Sequence, residues 1–165
     1  MKNALANSTY KDCVYIICKN PNTNTVEFVI VDINSLPTLS KKKWFISDAG
    51  YAISGDKTTM HEAVWGDRIT AIDHINRCRT DNRINNLRKC TPTENSRNRA
   101  GLMGKTSPYK GVSWCKCSEK WVVRIGIGGK YINGGRFKSE IGAALRYNEL
   151  AKKYHKEFAY SNKIS

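Results

Sequence analysis

The chain has 165 residues, with 40% hydrophobic residues and 28 Lys and Arg against 14 Asp and Glu, enough for one ordinary domain or two small ones around a modest core. Its longest apolar runs, such as 14–18 and 28–31, are too short to span a bilayer, and no basic-then-apolar leader precedes them, which argues against most membrane and secreted classes. The surplus charge of +14 is confined to one part: residues 1–65 carry seven basic and six acidic side chains, whereas 66–165 carry twenty-one and eight, a net of +13. A field of that strength calls for an anionic partner, and nucleic acid is the natural one.

Residues 10–65 read as sheet. The β-rich runs 13–18 and 26–31 are joined by seven residues dense in turn formers, a hairpin pattern. Lys41, Lys42 and Lys43 precede a short strand at Trp44, and a turn at 48–50 leads to another at 51–53. The segment 66–103 is polar, so hydrogen bonds must do much of its folding. A helix start is written at its end: Thr91 as cap, Pro92 at the first helical position and Glu94 to close a capping box, which puts Asn95 in the first turn. After a linker at 101–106, three short strands are predicted at 109–114, 121–127 and 131–137. A helix follows at 139–155, with Ile141, Ala144, Tyr147, Ala151 and Tyr154 toward the sheet. The expected fold class is α+β, with domains at 1–103 and 107–165. The six cysteines form no CxxC pair; Cys115 and Cys117 are expected on one strand face, and all six read as reduced thiols.

The chemistry concentrates in the polar segment. Asp73 and His74 are adjacent, so on an extended backbone they point to opposite faces. A return at 87–90 followed by the helix from Thr91 would let Asp73 and Asn95 converge on one divalent ion through hard oxygen donors, as Mg²⁺, or Mn²⁺ in its place, accepts. His74 would stand beside that ion and take a proton from an attacking water. A structural hydrogen bond is the competing reading of an Asp-His pair. Asn82 and Asn85 read as Asx turns, whereas Asn86 is placed to pin the loop behind His74. Arg77, Arg79, Arg83, Arg88, Arg97 and Arg99 surround this centre and read mainly as phosphate contacts.

The run Asp73-His74-Ile75-Asn76, then 81–88 with Asn86, then Thr93-Glu94-Asn95 resembles the ββα-metal motif of HNH endonucleases, in particular the phage and intron-encoded homing enzymes whose third position is asparagine. The resemblance implies His74 as general base, Asp73 and Asn95 as metal ligands, and Asn86 as the loop brace. His61 falls where such proteins often carry a histidine ahead of the motif, although Glu62 follows it where a basic residue is expected; it is given a structural role, with a place near the site as the competing reading. The last fifty residues resemble an AP2-type DNA-binding domain through residues 109–112, Lys120-Trp121-Val122-Val123-Arg124, Gly135-Arg136-Phe137 and 143–148. That likeness implies a sheet that enters the major groove and carries Trp114, Lys116, Trp121, Arg124, Lys130 and Arg136 to DNA; a core position against the helix is the competing reading of Trp121. Ser113 stands where the plant factors have an arginine, so their sequence specificity does not carry over.

Together these readings predict a metal-dependent, site-specific, homing-type endonuclease acting on double-stranded DNA in the cytosol of a bacterial or phage-infected cell. A monomer is favoured with a dimer left open, and the alternative is a non-cleaving DNA-binding regulator.

Overall fold

The computed structural model describes residues 5–6, 12–66, 71–101 and 106–164; the linker at 102–105 and the entry to the polar segment at 67–70 lie outside them. The fold is mixed α+β, with several small sheets and few helices. The chain divides into two compact units, residues 1–92 and 93–165.

In the first unit, the hairpin pattern becomes β2 (Cys13–Lys19) and β3 (Val26–Asp32), paired antiparallel from Cys13↔Asp32 to Lys19↔Val26. The short β1 (Leu5–Ala6) lies on the other edge of β2, and β4 (Trp44–Ile46) joins the same edge in parallel through Lys19↔Phe45. β5 (Ala52–Ser54) closes antiparallel on β4. The buried side chains Ile16, Cys18, Val29, Val31, Leu39, Trp44, Ile46, Ala52 and Met60 form the core. Trp44 satisfies its indole N–H there by donating to the Leu39 carbonyl at 2.8 Å. Leu39 ends the single turn α1 (Leu36–Leu39), and Met60 begins α2 (Met60–Trp65). Complete burial of Cys18 pushes its thiol up to about 12.

The polar segment is a two-stranded ribbon, β6 (Ala71–His74) and β7 (Leu87–Cys90), with Asp73 opposite Arg88 and His74 opposite Leu87. α3 (Pro92–Asn98) follows and opens the second unit. Two of its carbonyls, those of Ser96 and Arg97, and that of Arg99 just beyond its end accept from Lys110 Nζ at 3.2, 2.7 and 2.6 Å, a cation at the negative helix end.

The rest of the second unit is an antiparallel sheet in the order β10-β9-β8, from β8 (Val112–Cys115), β9 (Lys120–Ile127) and β10 (Lys130–Phe137). α4 (Glu140–His155) packs on it through Ala143, Ala144, Tyr147, Leu150 and Ala151. Two expectations are corrected here. Ile141 is 45% exposed: at 3.6 residues per turn it lies roughly a third of a turn from the buried face centred on Tyr147. Cys117 is not in a strand, because β8 ends at Cys115 and a turn with Glu119 at φ 47° takes over; the two sulfurs still approach to 3.0 Å.

The helix sits close because glycine lines its seat. A Cβ on Gly111, at φ +75°, would stand 2.1 Å from the Tyr147 ring and 2.7 Å from the Arg124 carbonyl oxygen, whereas one on Gly128, at φ +56°, would meet nothing within 4 Å. Gly111→Ala is therefore expected to cost about 3 kcal/mol or more through overpacking added to backbone strain, and Gly128→Ala about 1–2 kcal/mol from strain alone. Urea unfolding of the two variants beside the parent measures the difference.

Candidate active site

Asp73 and His74 end β6, and both are 5% exposed. Asp73 faces Arg88 directly across the ribbon, and its Oδ2 accepts from the guanidinium Nε at 2.9 Å and Nη2 at 2.6 Å. The pair is set by the strand register, since directly opposed residues share a face.

The loop from Ile75 to Asn86 is closed at its neck. Ile75 N–H donates to the Asn86 carbonyl at 2.8 Å, and Asn76 N–H donates to Asn86 Oδ1 at 3.0 Å. The Asn86 amide in turn donates to the Asp81 carbonyl at 2.7 Å and to Asn76 Oδ1 at 3.0 Å. Asn76 Nδ2 reaches Asp81 Oδ2 at 2.8 Å. The Asn86 side chain thus bonds to two backbone groups of the loop that follows His74. Asp81 also forks onto Arg83 through 2.8 Å and 2.7 Å bonds. Burial pushes the Asp81 carboxyl up, but that guanidinium outweighs it and holds the group below its ordinary value.

The middle of this loop docks on the N-terminal sheet. Ile30 N–H donates to the Thr80 carbonyl at 2.8 Å, Asn82 N–H to the Ile30 carbonyl at 2.9 Å, and Ile84 N–H to Asp32 Oδ2 at 2.7 Å. The docking carries Asn82, 1% exposed, to His74, whose Nε2 lies 3.0 Å from Asn82 Oδ1. Asn82 is thus no simple turn former. Nothing in its neighbourhood of the sequence signals this, because the strand that holds it lies some fifty residues earlier.

His74 also sits in an aromatic nest. The His61 ring meets it edge-on at 5.0 Å between centroids, and the Tyr51 ring lies 6.1 Å from His74 and 5.7 Å from His61. His61 is aimed there by α2, which opens with a capping box: Glu62 accepts from Thr59 N–H at 2.8 Å while Thr59 Oγ1 accepts from Glu62 N–H. Glu62 stands at the third helical position because the cap requires it. Burial lowers both imidazoles, and the mutual repulsion of the two rings adds to the lowering of His61, to about 4.

The arginines divide. Arg88, its side chain 15% exposed, pairs with buried Asp73 across the ribbon, which turns it away from the phosphate contact expected of it; Arg83 pairs with buried Asp81 while its side chain stays 39% exposed. Arg79 donates to the Ala49 carbonyl and lies 4.7 Å over the Tyr51 ring. Arg77, at φ 66°, is exposed at the loop's first turn. In the second unit α3 carries Asn95 and Arg97, both half-buried, and exposed Arg99 follows it.

On the three-stranded sheet, Trp114 pairs directly with Trp121, their rings 5.0 Å apart, and Trp121 packs against the helix-side core. Strand alternation therefore puts both tryptophans on the helix side instead of the outward face expected for them. Arg124 and Arg136 are exposed on the opposite face, which also presents Tyr131, 80% exposed, opposite Gly126. Lys116, in the turn, and Lys130, at the start of β10, are exposed at the sheet's ends.

The depressed His61 couples folding to pH. The unfolded chain takes up a proton near the ordinary value of 6.5, whereas the folded ring refuses it down to about 4, so stability falls as pH drops through that window. In His61→Gln the decline between those two values is expected to be shallower by one proton, measured by chemical unfolding across the range.

Residues 70–97 match the HNH endonuclease family. Over 150 residues, covering 83% of this chain and 75% of the relative, the sequence is 33% identical to the HNH endonuclease L560 of Acanthamoeba polyphaga mimivirus. No solved structure matches. The matched stretch takes in the ribbon, its clamped loop and α3, and the similarity to the relative extends through most of the chain: this protein belongs to the HNH endonuclease family and is a nuclease.

Proposed function

We propose that the protein is a metal-dependent, site-specific DNA endonuclease of the homing type, in which His74 activates the attacking water and Asp73 and Asn95 hold a divalent ion, Mg²⁺ by its taste for hard oxygen donors. The observation that carries the reading is the buried Asp73-His74 pair at the end of β6, with the following loop braced by Asn86 and the His74 ring held at Asn82.

HNH nucleases generally use a divalent metal. Among the described residues no group of three or more His, Cys, Asp and Glu could hold one, and one carboxylate with one carboxamide supplies only part of a six-coordinate shell. The donor set is compatible with an ion whose remaining ligands are water and phosphate oxygens. A carboxylate has roughly four lone-pair sites, so the two Arg88 bonds at Asp73 do not exhaust its capacity. When bound, the ion supplies charge stabilisation at the scissile phosphate and the departing 3′ oxygen.

The chain's own groups then act as follows. His74, neutral because burial lowers its proton affinity, accepts the proton of the water attacking the phosphorus. Arg88 keeps Asp73 oriented through its two hydrogen bonds to Oδ2. Asn86 keeps the loop from shifting His74 as DNA enters. The products are a 5′-phosphate and a 3′-hydroxyl. The second unit, read as an AP2-like module, is assigned the recognition of DNA through Arg124, Arg136 and Tyr131 on the open face of its sheet, with Arg77, Arg99, Lys116 and Lys130 as phosphate contacts. Among the described residues no helix is long and apolar enough to cross a membrane.

The test is cleavage of a pool of duplex DNAs with Mg²⁺, resolved on a denaturing gel. The parent is expected to give discrete products, and His74→Ala to lose roughly a hundredfold or more in rate with DNA affinity nearly unchanged. Arg124→Ala with Arg136→Ala is expected to weaken binding and relax site choice while a minimal nonspecific cut survives. Cutting by His74→Ala at the parental rate would overturn the assignment of the base.

A further inference from the structure

Of the six cysteines, Cys13, Cys18 and Cys90 are buried, and exposed Cys78 shares a hydrogen bond with the Thr80 hydroxyl at 3.3 Å. Cys115 and Cys117 differ. Cys115 is half-buried and Cys117 exposed, and their sulfurs lie 3.0 Å apart. A strand that ran on through Cys117 would hold the two Cα atoms roughly 6.6 Å apart with the side chains parallel. Instead β8 ends at Cys115, which pairs with Lys120 of β9, and residues 116–119 turn between them, with Glu119 at φ 47°. The turn folds Cys117 back on Cys115, and a further approach of roughly 1 Å brings the sulfurs to bonding distance.

The surroundings are cationic. Lys116 stands between the two cysteines, Lys120 opposite Cys115, and Arg136 close enough to favour the Cys117 thiolate. Partly exposed thiols in a positive field are the reactive ones. The Cys117 thiol, and Ser118 after it, hold Cys115 down at about 7, while the same shared hydrogen raises Cys117. Near neutral pH Cys115 is therefore largely the thiolate and Cys117 keeps its hydrogen. Two thiols are half the ligand set of a structural zinc ion, and among the described residues no third His, Cys, Asp or Glu completes one. The chemistry open to the pair is that of sulfur itself.

We propose that Cys115 and Cys117 are a redox-active dithiol site, which takes a low-molecular-weight disulfide as its oxidant and closes to an intramolecular disulfide across Lys116. The Cys115 thiolate attacks one sulfur of the small disulfide, whose S–S bond breaks, and the first small thiolate leaves with the electron pair and takes up a proton. Cys117 then gives its proton to solvent and attacks the Cys115 sulfur of the mixed disulfide, displacing the second small thiolate. In sum, two cysteine thiols lose two electrons and two protons, and one small disulfide becomes two small thiols. Excess small thiol reverses both steps. This chemistry is independent of the nuclease centre and of what the sheet binds.

The experiment incubates the full, reduced chain with oxidised glutathione at neutral pH, quenches with acid, alkylates the remaining thiols under denaturing conditions and weighs the peptides. The peptide holding Cys115 and Cys117 is expected to be lighter by two hydrogens and to carry neither glutathione nor alkyl groups. Exposed Cys78, alone at its turn, is the internal reference and is expected to give only a mixed disulfide or the alkylated thiol. Cys117→Ser is expected to stop at the mixed disulfide on Cys115. In urea, where the turn that gathers the sulfurs is lost, separate glutathione adducts at the two positions are expected to replace the ring. Free thiols or two separate adducts at Cys115 and Cys117 in the folded parent overturn the proposal, and so does an equal yield of the ring in urea, because the fold would then contribute nothing to the site. Should Cys117→Ser fail to fold, the parental chain, folded and in urea, still decides.

Discussion

Two backbone hydrogen bonds at Ile30, one from its N–H to Thr80 and one to its carbonyl from Asn82, decide where the polar loop of the nuclease ribbon goes. The loop has few apolar residues to bury, so it cannot collapse onto a core of its own. It borrows the open edge of β3, a row of unpaired donors and acceptors that any extended segment can complete. Once residues 80–82 are fixed there, Asp81 meets Asn76 and Arg83, Ile84 meets Asp32, and Asn86 finds the loop backbone within reach. The polar contacts form one connected set, in which each buried group satisfies another.

The same attachment divides labour within the first unit. The apolar core of β2, β3, β4 and α2 supplies rigidity and the ribbon carries the residues proposed to be catalytic, with the edge of β3 and the contacts of His61 and Tyr51 with His74 as the links between them. A site made of hydrogen bonds alone would be soft. One whose loop is stitched to a packed sheet inherits the stiffness of that sheet, which precise placement of a base requires.

The sequence was legible where signals were local. The β2–β3 hairpin, the return at Leu87–Cys90, the helix opening at Pro92 and the three strands of the second unit stood in periodicity and turn residues close at hand. What escaped was non-local or depended on register. Asn82 looked like an Asx turn because its partners are Ile30 and His74, neither of them a neighbour. Arg88 looked like a phosphate contact because only the pairing of β6 with β7 sets it against Asp73. Trp114 looked outward, and Trp121 stood open between the core and the DNA face, until strand alternation placed both on the helix side, and Ile141 fell off the buried stripe by a fraction of a helical turn. Glu62 looked out of pattern for a reason of capping that became visible once α2 had a beginning.

The internal pairing of Arg83 and Arg88 with Asp81 and Asp73 changes how the chain's charge should be counted. The formal surplus of +14 is the same with or without these two neutral pairs, but guanidinium groups engaged by carboxylates are less well placed to displace the condensed ions around a duplex. Each phosphate neutralised lowers the logarithmic dependence of affinity on salt by about 0.9, and, on the proposed reading of them as DNA contacts, that slope would come from the exposed Arg77 and Arg99 and from Arg124, Arg136, Lys116 and Lys130. On that proposed reading, ionic strength would loosen the grip on DNA well before it disturbed the Asp73–Arg88 pair beside His74, because a largely buried pair is screened far less than exposed charges.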